Sequence, residues 1–300
     1  MPFYFPLFPF SLAILSNICY NNQKAIREEH SLPMNKFTYD HDFHIHSRLS
    51  SCSHDPEQSP EQILRYAQKE GLKTIVLTDH FWDEKVEGAS KWYSTQDYPH
   101  ISQSKPLPQS DGIRFLFGCE TDMDKNLTLG CSRERMEELD FIVVPTTHFH
   151  MTNFTMSEEM LATPETRAEW WIKRIDALLA MDLPFHKIGL AHMTCGLIWR
   201  GDHEKLLATI NAIPDYEMHR VFEKAAKVGM GIELNVWDMH YKEEERDTLL
   251  RPYRIAKAEG CKFYCGTDAH TGKEFADVRR WFERGIADLE LTEDDKLIIK

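Results

Sequence analysis

The stretch DFHIHSRLSSCSHD, residues 42–55, places three histidines within fourteen positions. Histidine is costly to bury without partners, and it is also the commonest side-chain ligand for transition-metal ions. In an extended strand His44 and His46 point to one face, because side chains alternate with period two. His54 follows after a loop of Ser and Cys. Each histidine alone reads most simply as an incidental surface residue. The group gains meaning because the same event recurs along the chain. LKTIVLTDH ends in His80, IRFLFGCE in Glu120, DFIVVPTTH in His148, HKIGLAH in His192, and CKFYCGTDAH carries Asp268 and His270. Together with His44, His46 and His54 this makes seven imidazoles and two carboxylates. That donor mixture suits Zn, Mn or Fe rather than Ca or Mg alone. Nine ligands exceed what one tetrahedral zinc can use, so two to three divalent transition-metal ions with a shared carboxylate are expected. His30, His100, His186, His203, His219 and His240 show no such placement. His41 and His150 fall out of phase with the motifs or one turn beyond them, and are read as non-ligands.

The elements that must position these residues alternate regularly. Each apolar run is a strand candidate, and with FTYDHDFHIH (37–46) and MGIELNV (230–236, ending near Asn235) there are seven. Helical patterns separate most of them. SPEQILRYAQKEG (59–71) has a capping Ser59, Pro60 in its first turn and a terminal Gly71. Further helices are expected over 164–182, 215–229, 243–260 and 274–286, with Pro252 able to kink or restart the third. The polar span 81–112, with Trp82, Trp92 and Tyr93, reads as a long loop, either a wall of the site or a packed surface excursion. Strands alternating with helices indicate a parallel sheet, and seven units suggest a closed or nearly closed barrel, with an open doubly wound sheet as the alternative. In a barrel the ligand-type residues would gather at the C-terminal rim, where such enzymes place their sites.

The chain has 300 residues, enough for one large domain, and a net charge of −13, which argues against a broad nucleic-acid surface. Its seven cysteines are scattered without a Cys-x-x-Cys pair, a reduced inventory that points to the cytoplasm rather than to a disulfide framework. Residues 1–33 open on MPFYFPLFPFSLAILSNICY, apolar but interrupted by Pro2, Pro6 and Pro9, with no Lys or Arg before Lys24. This reads as a disordered leader or an over-extended start ahead of Met34, an export signal being the alternative. Residues 34–300 are expected to form a single barrel domain that does not engage a membrane.

DFHIHS with the later His54, LTDH, GCE, TTHFH, LAH, ELN and GTDAH, in this order, resemble the PHP (polymerase and histidinol phosphatase) superfamily, and most nearly its stand-alone histidinol-phosphatase-like phosphoesterases. The resemblance covers roughly residues 37–290. It implies a distorted seven-stranded (β/α) barrel, TIM-like, with a trinuclear metal centre. By the resemblance His44 and His46 sit on one metal, completed by Asp268. Glu120 bridges to a second held by His148 and His192, and His54, His80 and His270 hold a third.

Such a centre suits hydrolysis of a small phosphorylated metabolite by in-line attack of a metal-bridging hydroxide on a phosphomonoester. Asp268 and His270 are the candidates for passing a proton to the leaving oxygen. Fixed cations are expected to hold the phosphate. Arg200, beyond the His192 strand, is the best placed, ahead of Arg133 and Arg135. Two other classes compete: a hydrolase of amides, lactones or phosphodiesters on the same metals, and a non-catalytic metal-stabilised module.

Overall fold

Nine short strands, every pairing parallel, occupy seven positions around one axis. In this computed structural model, which describes residues 35–300, they are β1 (His41–Ile45), β2 (Thr74–Leu77), β3 (His80–Phe81), β4 (Arg114–Phe117), β5 (Cys119–Thr121), β6 (Ile142–Pro145), β7 (Ile188–Ala191), β8 (Gly231–Asn235) and β9 (Lys262–Gly266). The pairs β2/β3 and β4/β5 are single strands broken at Thr78–Asp79 and at Gly118. A three-stranded sheet runs β1-β2-β4 and a six-stranded sheet runs β3-β5-β6-β7-β8-β9. The ring comes together between β1 and β9, where Asp268 N–H donates to His44 O (2.7 Å) and His46 N–H to Ala269 O (3.0 Å). Asp42 strengthens this seam by accepting from Thr267 N (3.1 Å) and Thr267 Oγ1 (2.7 Å). The architecture is a distorted barrel with an interrupted ladder. Residues 1–33, read above as a leader, lie outside the described residues.

Helices cover the outside of the ring: α1 (Pro60–Glu70), α2 (Tyr98–Ile101), α3 (Arg133–Glu137), α4 (Pro164–Leu179), α5 (His203–Ala212), α6 (Asp215–Val228), α7 (Arg246–Ala258) and α8 (Val278–Asp288). The local rules hold at α1. Ser59 Oγ accepts from Gln62 N, Pro60 opens the helix, and Gly71 ends it at φ +67°, a conformation that favours glycine. α7 runs through Pro252 without interruption. Helix α5 was not anticipated, although Asp202 caps it by accepting from Lys205 N and Leu206 and Ile210 recur on its buried face. The span 81–112 contains short helical turns and is packed, with Trp82 and Tyr93 fully buried.

The inside of the barrel is layered. Toward the N-terminal ends of the strands, Phe43, Val76, Phe141, Val143 and Tyr264 pack together and are joined by Leu297 and Ile299 from the C-terminal tail. Small residues make room for the Tyr264 side chain: a Cβ at Gly189 would lie 2.5 Å from its ring. Above this layer stands Glu233, whose Oε1 would meet a Cβ at Gly266 at 1.9 Å, so that position admits only glycine. A one-residue bulge in β1 between Asp42 and Ile45 lets Phe43 and His44 both face inward, one to the apolar layer and the other to the rim. Among the described residues no helix is long and apolar enough to cross a membrane.

Candidate metal centre

The C-terminal rim gathers eight of the nine ligand-type residues. Glu120, on β5, is buried at the centre, and its two oxygens face different partners. Oε1 lies 3.2 Å from His192 Nε2 and 3.8 Å from His148 Nε2. Oε2 lies 2.8 Å from His80 Nδ1, 3.3 Å from His46 Nε2 and 3.6 Å from His44 Nε2. Asp268 Oδ1 approaches His46 Nε2 at 3.2 Å and His44 Nε2 at 3.5 Å. Three overlapping groups have the compactness an ion requires: His44, His46, Glu120 and Asp268; Glu120, His148 and His192; His46, His80 and His270.

Outer partners fix which ring nitrogen faces the centre. His44 Nδ1–H donates to Glu233 Oε1 (2.7 Å), His148 Nδ1–H to Asp122 Oδ2 (2.7 Å) and His270 Nδ1–H to Asp268 O (2.8 Å). Ser50 Oγ gives its own proton to Asp79 Oδ1 (2.7 Å), so it accepts from His46 Nδ1 (2.9 Å). Thr147 Oγ1 donates to His192 O (3.1 Å) and accepts from His192 Nδ1 (2.9 Å). Five imidazoles therefore turn Nε2 to the centre, where its lone pair can take a metal ion or, in the absence of one, a proton. His44 Nε2 and His46 Nε2 are 3.1 Å apart, and His80 Nδ1 and Glu120 Oε2 are buried without a hydrogen-bond partner. Lone pairs and orphaned atoms crowded together fit cations placed among them.

The electrostatics agree. Burial works to lower the pKa of His46, but hydrogen bonds to Asp268 and Glu120 outweigh it and raise the group to about 9. Burial likewise opposes the charged form of His44, yet Glu233, Asp268 and Glu120 hold its pKa well above the ordinary value. Burial works against the charge of Glu120 and Asp268, and the neighbouring histidines still keep both carboxylates below the ordinary range. The field of this pocket thus draws positive charge to where ions would stand. His192 and Asp268 also have left-handed backbones, φ +29° and +52°. Left-handed backbone costs a non-glycine residue on the order of 1 kcal/mol. Bonds from His192 N to Glu233 Oε2 (2.8 Å) and from Asp268 N to His44 O (2.7 Å) offset it.

His54 is not brought to the other eight. The turn after β1 is closed by Arg48 N to Gln58 O (2.7 Å) and Ser53 N to Ser50 O (2.9 Å), and Ser53 Oγ binds His270 O (2.7 Å). These bonds face Ser53 inward and leave His54 in solvent. Glu233, Asp122, Asp79, Ser50 and Thr147 were not singled out from the sequence. Asp122 had a signal, since it lies two residues beyond Glu120 and so on the same side of the strand. It also accepts from Tyr93 OH (2.8 Å) and faces buried Arg174 at 3.5 Å. Asn235 Nδ2 donates to Glu233 Oε2 (3.2 Å).

A cavity of about 460 Å³ opens above the centre, with Glu120, His80, His148, Asp268 and His270 in its floor and Arg200 and His150 in its wall. Arg133 and Arg135 are elsewhere, paired with Asp182 and with Glu84 and Glu138.

In fold the chain is similar to a histidinol phosphate phosphatase from Lactococcus lactis, crystallised with zinc, L-histidinol and phosphate. The TM-score is 0.62 at 16% identity, over 86% of this chain and 98% of that one. It is also similar to a candidate histidinol phosphatase from Listeria monocytogenes, with a TM-score of 0.54 at 14% identity, over 79% of this chain and 97% of the other. No curated protein matches the chain. The model of the PHP domain family matches residues 42–235, which run from within β1 to the end of β8 and include six of the eight converging ligand-type residues, and the chain belongs to that family.

Proposed function

We propose that this protein is a metal-dependent phosphoesterase that hydrolyses a small phosphomonoester, in the manner of a histidinol phosphatase. The observation that carries the reading is the division of Glu120, with Oε1 toward His148 and His192 and Oε2 toward His44, His46 and His80. A carboxylate so divided can join two ions. Two to three divalent ions, Zn, Mn or Fe, would be held by His44, His46, Glu120 and Asp268, by Glu120, His148 and His192, and by His80 and His270. His46 has one nitrogen left after its bond to Ser50, so it can serve only one ion, and His54 would have to turn in from solvent to complete the third group. When bound, such ions acidify water and neutralise phosphoryl oxygens as charge develops.

The chain's own groups would do the rest. Arg200 at the cavity wall would orient the phosphate. Asp268 and His270 keep side-chain exposures of 19% and 23%, whereas His44 and His46 are at 0%, so these two can exchange protons with water. Asp268 Oδ1 is turned toward His44 and His46, which leaves Oδ2 of the ionised carboxylate as the atom that would take a proton from water and hand it on to the leaving oxygen. The six cysteines among the described residues are unpaired, in keeping with a cytoplasmic protein.

The test is phosphate release from a panel of phosphomonoesters by metal-supplemented protein, alongside phosphodiester, lactone and amide panels, with metal content by elemental analysis. Phosphomonoester turnover with two or more ions per chain is expected. Turnover confined to another panel would transfer the site to that chemistry, and a chain holding no ions would defeat the reading.

A further inference from the structure

Resting on that reading, we infer from the cavity wall that the leaving group of the substrate is an apolar, aromatic-bearing alcohol without an ammonium group. Above the floor the wall consists of Cys52, Trp92, His150, Met151, Leu197 and Arg200. Among the described residues the only carboxylates lining the cavity are Glu120 and Asp268, both in its floor, with Glu120 and Asp268 Oδ1 turned toward histidine nitrogens of the centre. An ammonium on the leaving group would find no free acid in the wall. It would instead face Arg200 and the cations of the floor. An unpaired charge in such a place is disfavoured twice, by desolvation and by repulsion. Apolar surface is offered in its place by Trp92, Met151 and Leu197.

Trp92 is the residue that sets this preference. Its ring meets the His80 ring edge-on at 4.9 Å between centroids, so it stands at the border of the floor and the wall. Its place is fixed from two sides. The next residue, Tyr93, is fully buried and anchors through its hydroxyl to Asp122, the same carboxylate that orients His148. Gln96 Nε2 donates to Trp92 O (3.2 Å) while Gln96 Oε1 accepts from Ser51 N (2.8 Å), which ties the segment to the turn after β1. The indole is thus held ready for a leaving group rather than free to withdraw.

The test compares matched substrates that differ by one charge. Initial rates of phosphate release are measured for 3-phenylpropyl phosphate, phenylalaninol phosphate, ethyl phosphate and O-phosphoethanolamine with the full chain and saturating metal. Within each pair the ammonium-free ester is expected to have a kcat/KM higher by at least about thirtyfold. Trp92→Ala is expected to lower kcat/KM for 3-phenylpropyl phosphate at least about tenfold and for ethyl phosphate by less than about threefold, with Trp92→Phe restoring most of the loss. Equal or greater turnover of the ammonium-bearing esters overturns the inference and leaves the phosphomonoesterase reading standing. An equal loss on both ammonium-free esters in Trp92→Ala overturns the role given to Trp92. Absence of release from all four esters by metal-loaded protein overturns the phosphomonoesterase reading and this inference with it.

Discussion

The two ends of this barrel are built from the same strands to opposite rules. At the N-terminal end Phe43, Phe141, Tyr264, Leu297 and Ile299 form a layer in which each contact is short-range and apolar. At the C-terminal end His44, Glu120, His192 and Asp268 crowd polar atoms together, and the two histidines are each held by a further partner outside. The lower layer gains free energy simply by leaving water, roughly 1.5–3 kcal/mol for each large apolar side chain. The upper layer gains nothing of that kind. Its imidazoles are kept in place by Glu233, Asp122, Ser50 and Thr147, and its remaining lone pairs are left for cations. Stability is therefore concentrated at one end and chemistry at the other. Residues of the two ends should fail in different ways when replaced.

Phe43→Ala is the severest case. The ring stacks near Tyr264 at 5.8 Å and meets Phe141 edge-on at 5.5 Å, so its loss leaves a cavity beneath the site. A loss of about 3–5 kcal/mol in unfolding free energy is expected by denaturant titration, with metal stoichiometry of the folded fraction unchanged. If metal is lost in proportion to stability, the two ends are not separable. Glu120→Gln should do the reverse. It keeps the shape but removes the charge shared between two groups of histidines, and should lose at least one ion and about a hundredfold or more in turnover. Full metal content at near-native rate would show that Glu120 does not bridge.

Glu233→Gln probes the border between the layers. The carboxylate accepts from His44 Nδ1, His192 N and Asn235 Nδ2, and an amide oxygen cannot serve all three. Metal affinity, read by competition with a chelator, should fall about 10–100-fold. An unchanged affinity would make Glu233 a packing group only. His54→Ala should have the smallest effect, because the residue is exposed and outside the three groups. Metal content should fall by less than about one ion per chain, with the other ions retained. A collapse of the whole centre would mean that the turn after β1 closes inward when metal binds.

Much of this was legible in the chain. The alternation of apolar runs and amphipathic segments determined strand and helix, because periods of two and 3.6 are local properties. Ser59, Pro60 and Gly71 marked the ends of α1 for equally local reasons. The recurrence of His, Glu and Asp at strand ends determined the donor chemistry of the centre. Arg200 was legible because loops that follow strands face the rim, and it does line the cavity. Tertiary structure alone decided the rest. Asp42 and Thr267 are 225 positions apart and meet only because the ring comes together there. The bulge in β1 that turns both Phe43 and His44 inward exists only against its partner strand. Glu233 reads as one acid within an apolar strand until the barrel sets it beneath His44 and His192. His54 has the right type and a plausible spacing, but spacing along a turn does not give direction, and the backbone bonds of that turn send it into solvent. Residue type and period are written into each segment, whereas convergence depends on distances between segments, and only the folded chain supplies those.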